Sequence, residues 1–454
     1  MIDGVWSLPA ALGIGERPEL VAFVGGGGKT RLMFTLAAEL PGRVVMTTTT
    51  RLFARQMEHA PAVVYESDLA ALDEALATHR VCFVAGRIEG DKAIGVDPAL
   101  PACLLARPDV DFVLVEADGS RMLPIKAPAD HEPSIPPGTT LLVPMVGLDA
   151  LEGPIDAVAH RPEQIRAITN YELRMTSEER SSVVDGRLTA AGLARVLVHP
   201  QGGLKDAPDG ARIVPFLNKA ETVGRLAAGR EAAELMMAES RVSRVVVGAL
   251  RQTSPVREVW RRVAAVVLAA GTSSRMGRNK LLLPWRESTV LARTLANVKE
   301  SSVASVLAVT GHQQEKTEAI AADLNIQTIW NGNYANGMLT SVQTAIRHLP
   351  PTVEAALVVL GDQPMVDAEM INALLRAYAA GTHGLIAPTY HGQRGNPVLI
   401  DRRYFDELMS LPPEAAPRVL LQRHESDLHY VEFEDDAILH DIDRPEDYER
   451  WRPK

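Results

Sequence analysis

Two apolar segments, each ending in a run of small residues, constrain this 454-residue chain more than anything else in it. The first is LVAFVGGGGKT at 20–30 and the second VAAVVLAAGTSSRMG at 263–277. A strand that stops at a glycine turn and gives way to helical periodicity is the opening of a βα unit, and the pattern occurs twice. The two turns are too different to be copies, and no period of 20–50 residues runs through the chain. At roughly 100–200 residues per domain, the length suits two to four domains. The only break between the segments is RQTSPVREVWRRV at 251–263, with one Pro and four Arg. The boundary is expected near 260, giving domains 1–259 and 260–454.

Short β-branched runs then alternate with helical stretches. In the first part they are 43–49, 80–86, 111–119, 139–146, 211–218 and 243–250. In the second part they are 305–311, 326–331, 355–362, 384–390 and 396–400. Leu291, Leu295 and Val298 keep the i, i+4, i+7 spacing of one buried helix face. Near-continuous apolar strands between helices predict an α/β fold in each domain: a mostly parallel sheet covered by helices on both faces. Functional groups then belong at the carboxyl ends of the strands.

Composition narrows the function class. Apolar residues at 46% and charged residues at 23% are globular values. Forty-seven Lys and Arg against 57 Asp and Glu leave a net charge of −10, which argues against a general nucleic-acid binder. Cys82 and Cys103 stand alone, without the spacing of a disulfide framework or a structural zinc site. No basic leader and no run of 18 apolar residues is present, so the expectation is a cytoplasmic protein without membrane attachment.

In LAAGTSSRMGRNKLLLPW (268–285), small residues allow backbone N–H groups to close around phosphate, and the turn is expected to feed a helix N-terminus. Arg275 and Lys280 add full charges suited to a triphosphate, with Leu268, Ala269, Ala270, Gly271 and Gly277 forming the nucleotide-binding turn. The same turn also fits a plain βα connection with solvated cations. Asp362 ends an apolar strand, where a carboxylate is costly unless it meets a partner or a cation, and Mg²⁺ is the cation it suits. Asp443 is a second metal candidate; Asp-Arg-Pro-Glu equally fits a helix cap. No catalytic His is evident.

In the first part, VGGGGKT (24–30) has the features of a phosphate-binding loop, although Phe23 stands where G-x-x-x-x-G-K-T needs a glycine. Gly25, Gly26, Gly27 and Gly28 would admit phosphate, Lys29 would pair with it, and Thr30 would reach a metal. Glu116 and Asp118, at the end of VLVEADGS, are the companion metal candidates. Asn218 and Lys219 in FLNKAE are candidates for reading a base, with Glu221 where an Asp would suit guanine. A strand-to-helix turn is the alternative for that element. His131 and Glu132 fit chemistry or a Pro-flanked loop alike.

The stretch 268–285 resembles the nucleotidyltransferase signature of the MobA-like family, most closely its molybdenum cofactor cytidylyltransferases. VVLGDQPMV (358–366), NGNYANGMLTSVQTAI (331–346), RGNPVLI (394–400) and DIDRPEDY (441–448) match further motifs in the family's order. The resemblance implies transfer from CTP to the terminal phosphate of a molybdopterin cofactor, with Mg²⁺ on Asp362 and release of pyrophosphate. It implies CTP over GTP through Leu-Ala-Ala-Gly, where guanylyltransferases carry Leu-Ala-Gly-Gly. GGGGKT, MTTTTRLF (46–53), EADGSRMLPIKAPADHEPSIP (116–136) and HRPE (160–163) resemble the YqeC family, an accessory of selenium-dependent molybdenum hydroxylases. That implies a nucleotide-binding accessory domain and a target hydroxylase of the xanthine dehydrogenase kind as partner. A nucleotidyltransferase that uses GTP or a sugar phosphate, and a non-enzymatic carrier or insertion chaperone, are the alternatives.

Overall fold

A computed structural model describes residues 5–68, 70–170, 181–412 and 415–453. The chain divides into two compact units, Met1–Trp260 and Arg261–Lys454. The opening residues 1–4, part of the stretch expected to carry no leader, lie outside the described residues.

In the first unit, Glu19–Gly25 (β1), Val44–Thr48 (β2), Val63–Tyr65 (β3), Val81–Ala85 (β4), Phe112–Glu116 (β5), Leu141–Gly147 (β6), Arg212–Ile213 (β7), Phe216–Asn218 (β8), Arg244–Gly248 (β9) and Val256–Arg261 (β10), whose last residue already belongs to the second unit, form one sheet. Its order is β10-β9-β8-β6-β1-β5-β2-β4-β3, with β7 also on β6. Pairings from β1 through β9 are parallel, so their carboxyl ends share one edge. Successive side chains alternate between faces. Val21 and Phe23 pack with Leu32, Met33 and Leu36 of the helix Lys29–Glu39. Leu20, Val45, Val113 and Val115 pack on the other face with Leu72, Leu76 and Leu104. Arg80 closes the carboxyl end of the helix Lys29–Glu39, donating to Ala37 O at 3.2 Å and Ala38 O at 3.1 Å.

Two details differ from the sequence reading. The run 211–218 is broken into β7 and β8 at Val214-Pro215, because proline has no N–H for the ladder. The stretch 251–263 is no mere connector: Val256–Arg261 is a strand on the edge beside β9.

In the second unit, Val263–Ala269 (β11), Ser305–Thr310 (β12), Gln327–Trp330 (β13), Ala355–Leu360 (β14), Leu385–Tyr390 (β15), Gln393–Arg394 (β16), Val398–Asp401 (β17) and Leu428–Glu432 (β18) form a mixed sheet. The order is β13-β12-β11-β14-β17-β15-β16, with β18 on β15. The β11–β12, β11–β14 and β12–β13 pairs are parallel, while β17 runs antiparallel to β14 and β15. Leu291, Leu295 and Val298 of the helix Val290–Glu300 are buried in one cluster with Val263, Ala265 and Val267 of β11. Leu339, Val342 and Ile346 cover the other face. The fold is thus α/β in both units, each with a mostly parallel sheet.

Candidate functional site

The first strand of each unit ends at the rim of a cavity. In the second unit this cavity measures about 510 Å³. The end of β11 supplies Leu268, and the turn after it Ala270, Gly271, Arg275 and Lys280, to its wall. Ala269 points away into the core, 1% exposed, and Gly277 does not line the cavity. The turn does not feed a long helix as expected. It passes through two single 3₁₀ turns, Ser274–Met276 and Lys280–Leu282, because Ser273 and Gly277 take left-handed backbone at φ 54° and 65°. Positive charge here comes from side chains and loop N–H groups. A helix N-terminus does reach the cavity elsewhere: Met338–His348 begins at Gly337 with no side-chain cap, and Gly337, Met338 and Ser341 line the wall. Asn331 steadies this entry, donating to Thr340 Oγ1 at 2.9 Å and Ser341 Oγ at 3.0 Å.

Asp362 follows β14 through Gly361, where a Cβ would lie 2.7 Å from Leu268 O. Buried polar side chains of the helix Val290–Glu300 pin this turn. Thr294 donates to Gly361 O at 3.2 Å, and Asn297 to Pro364 O at 3.1 Å and Val366 O at 2.8 Å. The C-terminal Asp-x-Asp element is tied to the same turn by Ile442 N on Asp362 O at 3.2 Å. Ile442 is fully buried among Met276, Trp285 and Tyr448, which leaves Asp441 and Asp443 on either side free to face the cavity. Asp362, Asp441 and Asp443 each offer an oxygen within 4.8 Å of the others. Three convergent carboxylates beside a cavity are the donor set a hard divalent cation takes. Lys280 pairs with Asp362 and, at 2.6 Å, with Asp443; Arg275 pairs with Asp443 at 2.5 Å.

The charges answer to this crowding. Burial pushes the Asp362 carboxyl above its usual range, more than Lys280 pulls it down. Burial would lower Lys280, but Asp362 and Asp443 outweigh it and hold the ammonium charged. Burial would likewise raise Asp443, and Lys280 and Arg275 override it. Asp443 is not a helix cap. The helix Pro445–Trp451 is closed instead by Asp447, which accepts from Asp443 N at 3.2 Å and Arg444 N at 2.8 Å. Asp441 was missed in the sequence, although the Asp-x-Asp spacing carried the signal.

In the first unit the cavity is about 530 Å³ and is lined by Gly27, Gly28, Lys29, Thr30, Glu116, Asn218 and Lys219. Phe23 is buried in the core, so the chain is still strand where a longer loop would have begun. Gly25, at φ 92°, ends β1, and Gly28 precedes the helix without a side-chain cap. Gly27 is at φ 79°, and a Cβ on it would lie 2.0 Å from Gly147 N. Gly26 takes part in the loop through its N–H on Met145 O at 2.9 Å.

Lys29 is 3% exposed; its ammonium donates to Gly25 O at 2.5 Å and lies 3.2 Å from Asp118 and 3.7 Å from Glu116. Burial would lower Lys29, but those two carboxylates outweigh it and raise it. Burial raises Glu116. Thr30 Oγ1 donates to Glu116 at 2.8 Å, the pair a cation beside the loop would meet. Asp118 is committed elsewhere: both its oxygens accept from Gly25 N at 3.0 Å, and it also pairs with Lys126 at 3.2 Å. From Lys126 the chain of charges continues to Glu132 at 2.8 Å and on to Arg161 at 2.7 Å. Glu132 and His160 line the cavity, whereas His131 is exposed and does not. His160 is lowered by burial and then by Arg161, Lys126 and Arg121.

Asn218 is buried with both ends of its amide used. It donates to Gly27 O at 2.8 Å and accepts from Leu250 N at 3.1 Å, so it braces the glycine loop. Lys219, at φ 70°, pairs with Asp149 at 2.5 Å on the cavity wall.

Two family models match the chain: "YqeC protein" over residues 21–163 and "MobA-like NTP transferase domain" over residues 265–428. The YqeC protein of Escherichia coli (strain K12) is 36% identical over 214 residues, 46% of this chain and 78% of the relative. The molybdenum cofactor cytidylyltransferase of the same organism is 31% identical over 189 residues, 41% of this chain and 93% of the relative. Among solved structures, Rv0371c from Mycobacterium tuberculosis H37Rv is 26% identical, covering 42% of this chain and 96% of that one at a TM-score of 0.38. The chain therefore belongs to the YqeC family through its first unit and to the MobA-like NTP transferases through its second, which is a nucleotidyltransferase.

Proposed function

We propose that the second unit is a CTP:molybdenum cofactor cytidylyltransferase and the first a nucleotide-binding accessory in the maturation of molybdenum hydroxylases. The observation that carries this reading is the meeting of Asp362, Asp441 and Asp443 with Lys280 and Arg275 at one cavity. It is supported by the relative whose name is molybdenum cofactor cytidylyltransferase. The terminal phosphate of the molybdopterin cofactor attacks the α-phosphorus of CTP. An oxygen–phosphorus bond forms, the α–β bridging bond breaks, and its electron pair leaves on pyrophosphate. The attacking phosphate is already ionised and needs no base. Lys280, Arg275 and the N–H groups of the turn hold the triphosphate and take up charge on the leaving group. A divalent cation such as Mg²⁺, held by Asp362, Asp441 and Asp443, would supply further neutralisation of that charge.

Ala270 lines the cavity, and its methyl sits where a side chain on Gly311 would collide with it, at 2.8 Å. That methyl narrows the base site and favours a pyrimidine by roughly ten- to two-hundred-fold, the discrimination of about one methyl group. A turnover assay over CTP, GTP and sugar-phosphate acceptors, with pyrophosphate release as readout, tests the reading. Preference for CTP with the molybdenum cofactor supports it. Equal use of GTP, or activity only on sugar phosphates, refutes it. Capture of a molybdenum hydroxylase without any turnover would make the chain a carrier.

In the first unit, Gly27–Thr30 bind the phosphates of a nucleoside triphosphate and Thr30 with Glu116 the accompanying cation. Gly25 and Gly26, expected to admit phosphate, do not line the cavity and spend their N–H groups on Asp118 and Met145 O, so they shape the loop instead. Joining the two units raises the effective concentration of a cofactor passed between steps.

A further inference from the structure

The glycine loop accounts for only part of the first unit's cavity. Three other segments converge on it: Thr50-Arg51 after β2, Gly119 to Met122 after β5, and His160-Arg161. Two of these arginines are held in backbone that L-residues avoid, Arg121 at φ 52° and Arg161 at φ 66°, with Met122 beside them at 63°. Such strain persists where the surroundings impose it, and it concentrates at binding sites. Arg161 is fixed by Glu132 at 2.7 Å and by Ala127 O at 3.3 Å. Arg51 and Arg121 are exposed and meet no carboxylate in an ion pair among the described residues. Around the cavity, eight Lys and Arg side chains face three carboxylates, Glu116, Glu132 and Glu221. Asp118 and Asp149 behind the wall neutralise Lys29 and Lys219, and the remaining excess of about three positive charges is still larger than one magnesium-bound triphosphate, at about −2, would neutralise.

Sheet order separates Arg51 and Arg121 from the other candidate nucleotide contacts, while Arg161 follows a short strand outside the main sheet. Asn218 ends β8 and Lys219 follows it, two strands to one side of β1; Arg51 follows β2, two strands to the other. Four inter-strand spacings of about 4.8 Å put those ends roughly 19 Å apart. A nucleotide that runs from the loop toward β8 leaves the β5–β2 side to another ligand.

We propose that Arg51, Arg121 and Arg161 form a second anion subsite, so that the first unit binds a phosphate-bearing small molecule beside its nucleotide. The proposal rests on the reading that a nucleotide occupies the glycine loop. It makes this unit a two-substrate site rather than a nucleotide switch.

The test titrates the full chain with radiolabelled inorganic phosphate in the presence of saturating Mg²⁺ and a non-hydrolysable nucleoside triphosphate. Nucleotide affinity is measured separately. The double variant Arg51→Gln/Arg121→Gln should lose phosphate affinity by at least about tenfold, the equivalent of one charge-assisted hydrogen bond. Its nucleotide affinity should stay within about twofold. Arg121→Asn, which tolerates left-handed backbone, should give the same direction without a folding penalty. Competition between phosphate and nucleotide would overturn the proposal. So would unchanged phosphate binding in these variants, or equal loss of both ligands. Lys29→Ala reads the other premise: if nucleotide binding survives it, the loop reading fails while the phosphate titration still decides the subsite.

Discussion

An aspartate buried at a strand end and an aspartate on a rim respond differently to becoming an amide. Asp362 is 7% exposed and held by backbone that the helix Val290–Glu300 pins, so Asp362→Asn keeps its place but loses charge. We expect kcat/KM to fall by about a hundredfold or more, with part of the rate restored by excess Mg²⁺. Asp441→Asn should act in the same direction by about tenfold, and a rate unaltered in both variants would remove the cation site. Residue by residue, the sequence was informative where chemistry leaves a rigid mark. Lys280, Arg275, Asp362 and Asp443 do meet, because strand ends and the Asp-x-Asp element deliver them to one edge. Less legible was which member of a motif faces inward. Asp441 was passed over, Ala269 turned out to be core, and Asn218 spends its amide on the glycine loop. Those outcomes depend on tertiary partners far away in the chain.

At the scale of elements, the glycine loop and the Lys126–Glu132–Arg161 cluster show how loops of the first unit are fixed. Gly27→Ala would force a Cβ to 2.0 Å from Gly147 N at a positive φ, so the loop must move. Nucleotide binding by the first unit should fall at least tenfold, with nucleotidyl transfer by the second unit unchanged; paired titration and turnover measurements check this. Glu132 is the acid-sensitive member of the cluster. Burial would raise it, but Lys126 and Arg161 override that and lower it from 4.5 to about 2. A folded-state value below the unfolded one stabilises above pH 4.5, and that contribution is lost as pH falls toward 2. With its side chain 17% exposed, the discounted contribution is about 2 kcal/mol. Glu132→Gln should therefore weaken the first unit in urea at pH 7 by about that amount. The gap to the wild type should narrow as pH is lowered from about 4.5. A constant gap would mean that the amide loses packing rather than charge. The short 3₁₀ turns after β11 were not legible beforehand, since Ser273 gives no local sign of left-handed backbone.

For the whole molecule, the alternation of apolar runs and helical stretches announced two α/β sheets. Edge strands escaped notice because one-sided or short segments carry little periodicity: Val63–Tyr65, Val256–Arg261 and Leu428–Glu432. The second of these decides where the chain can be cut. Arg261 ends that strand, and its guanidinium is buried 3.5 Å above the Tyr378 ring. It pairs with Asp401 at 2.9 Å and donates to Tyr378 O at 2.9 Å. Tyr378 donates its hydroxyl to the same Asp401 carboxylate at 2.6 Å, and burial first, then Asp401, raises that phenol. A fragment that begins at 261 keeps the guanidinium on Asp401, whereas one that begins at 263 leaves this mostly buried carboxylate with the Tyr378 hydroxyl and Arg403 N at 3.0 Å but without its cation. Removing one partner of a buried pair costs about 3–5 kcal/mol, and the 14% exposure of Asp401 argues for the lower end. We propose that the two units fold independently, and the expected result is that 261–454 is folded and active while 263–454 is less stable by about 3 kcal/mol. Adding Asp401→Asn to the shorter fragment should return part of the loss, because the uncompensated charge disappears. Thermal or urea unfolding of the three proteins checks it. An unfolded 261–454 would refute independent folding, and equal stability of the two fragments would mean that Asp401 is solvated well enough not to need Arg261.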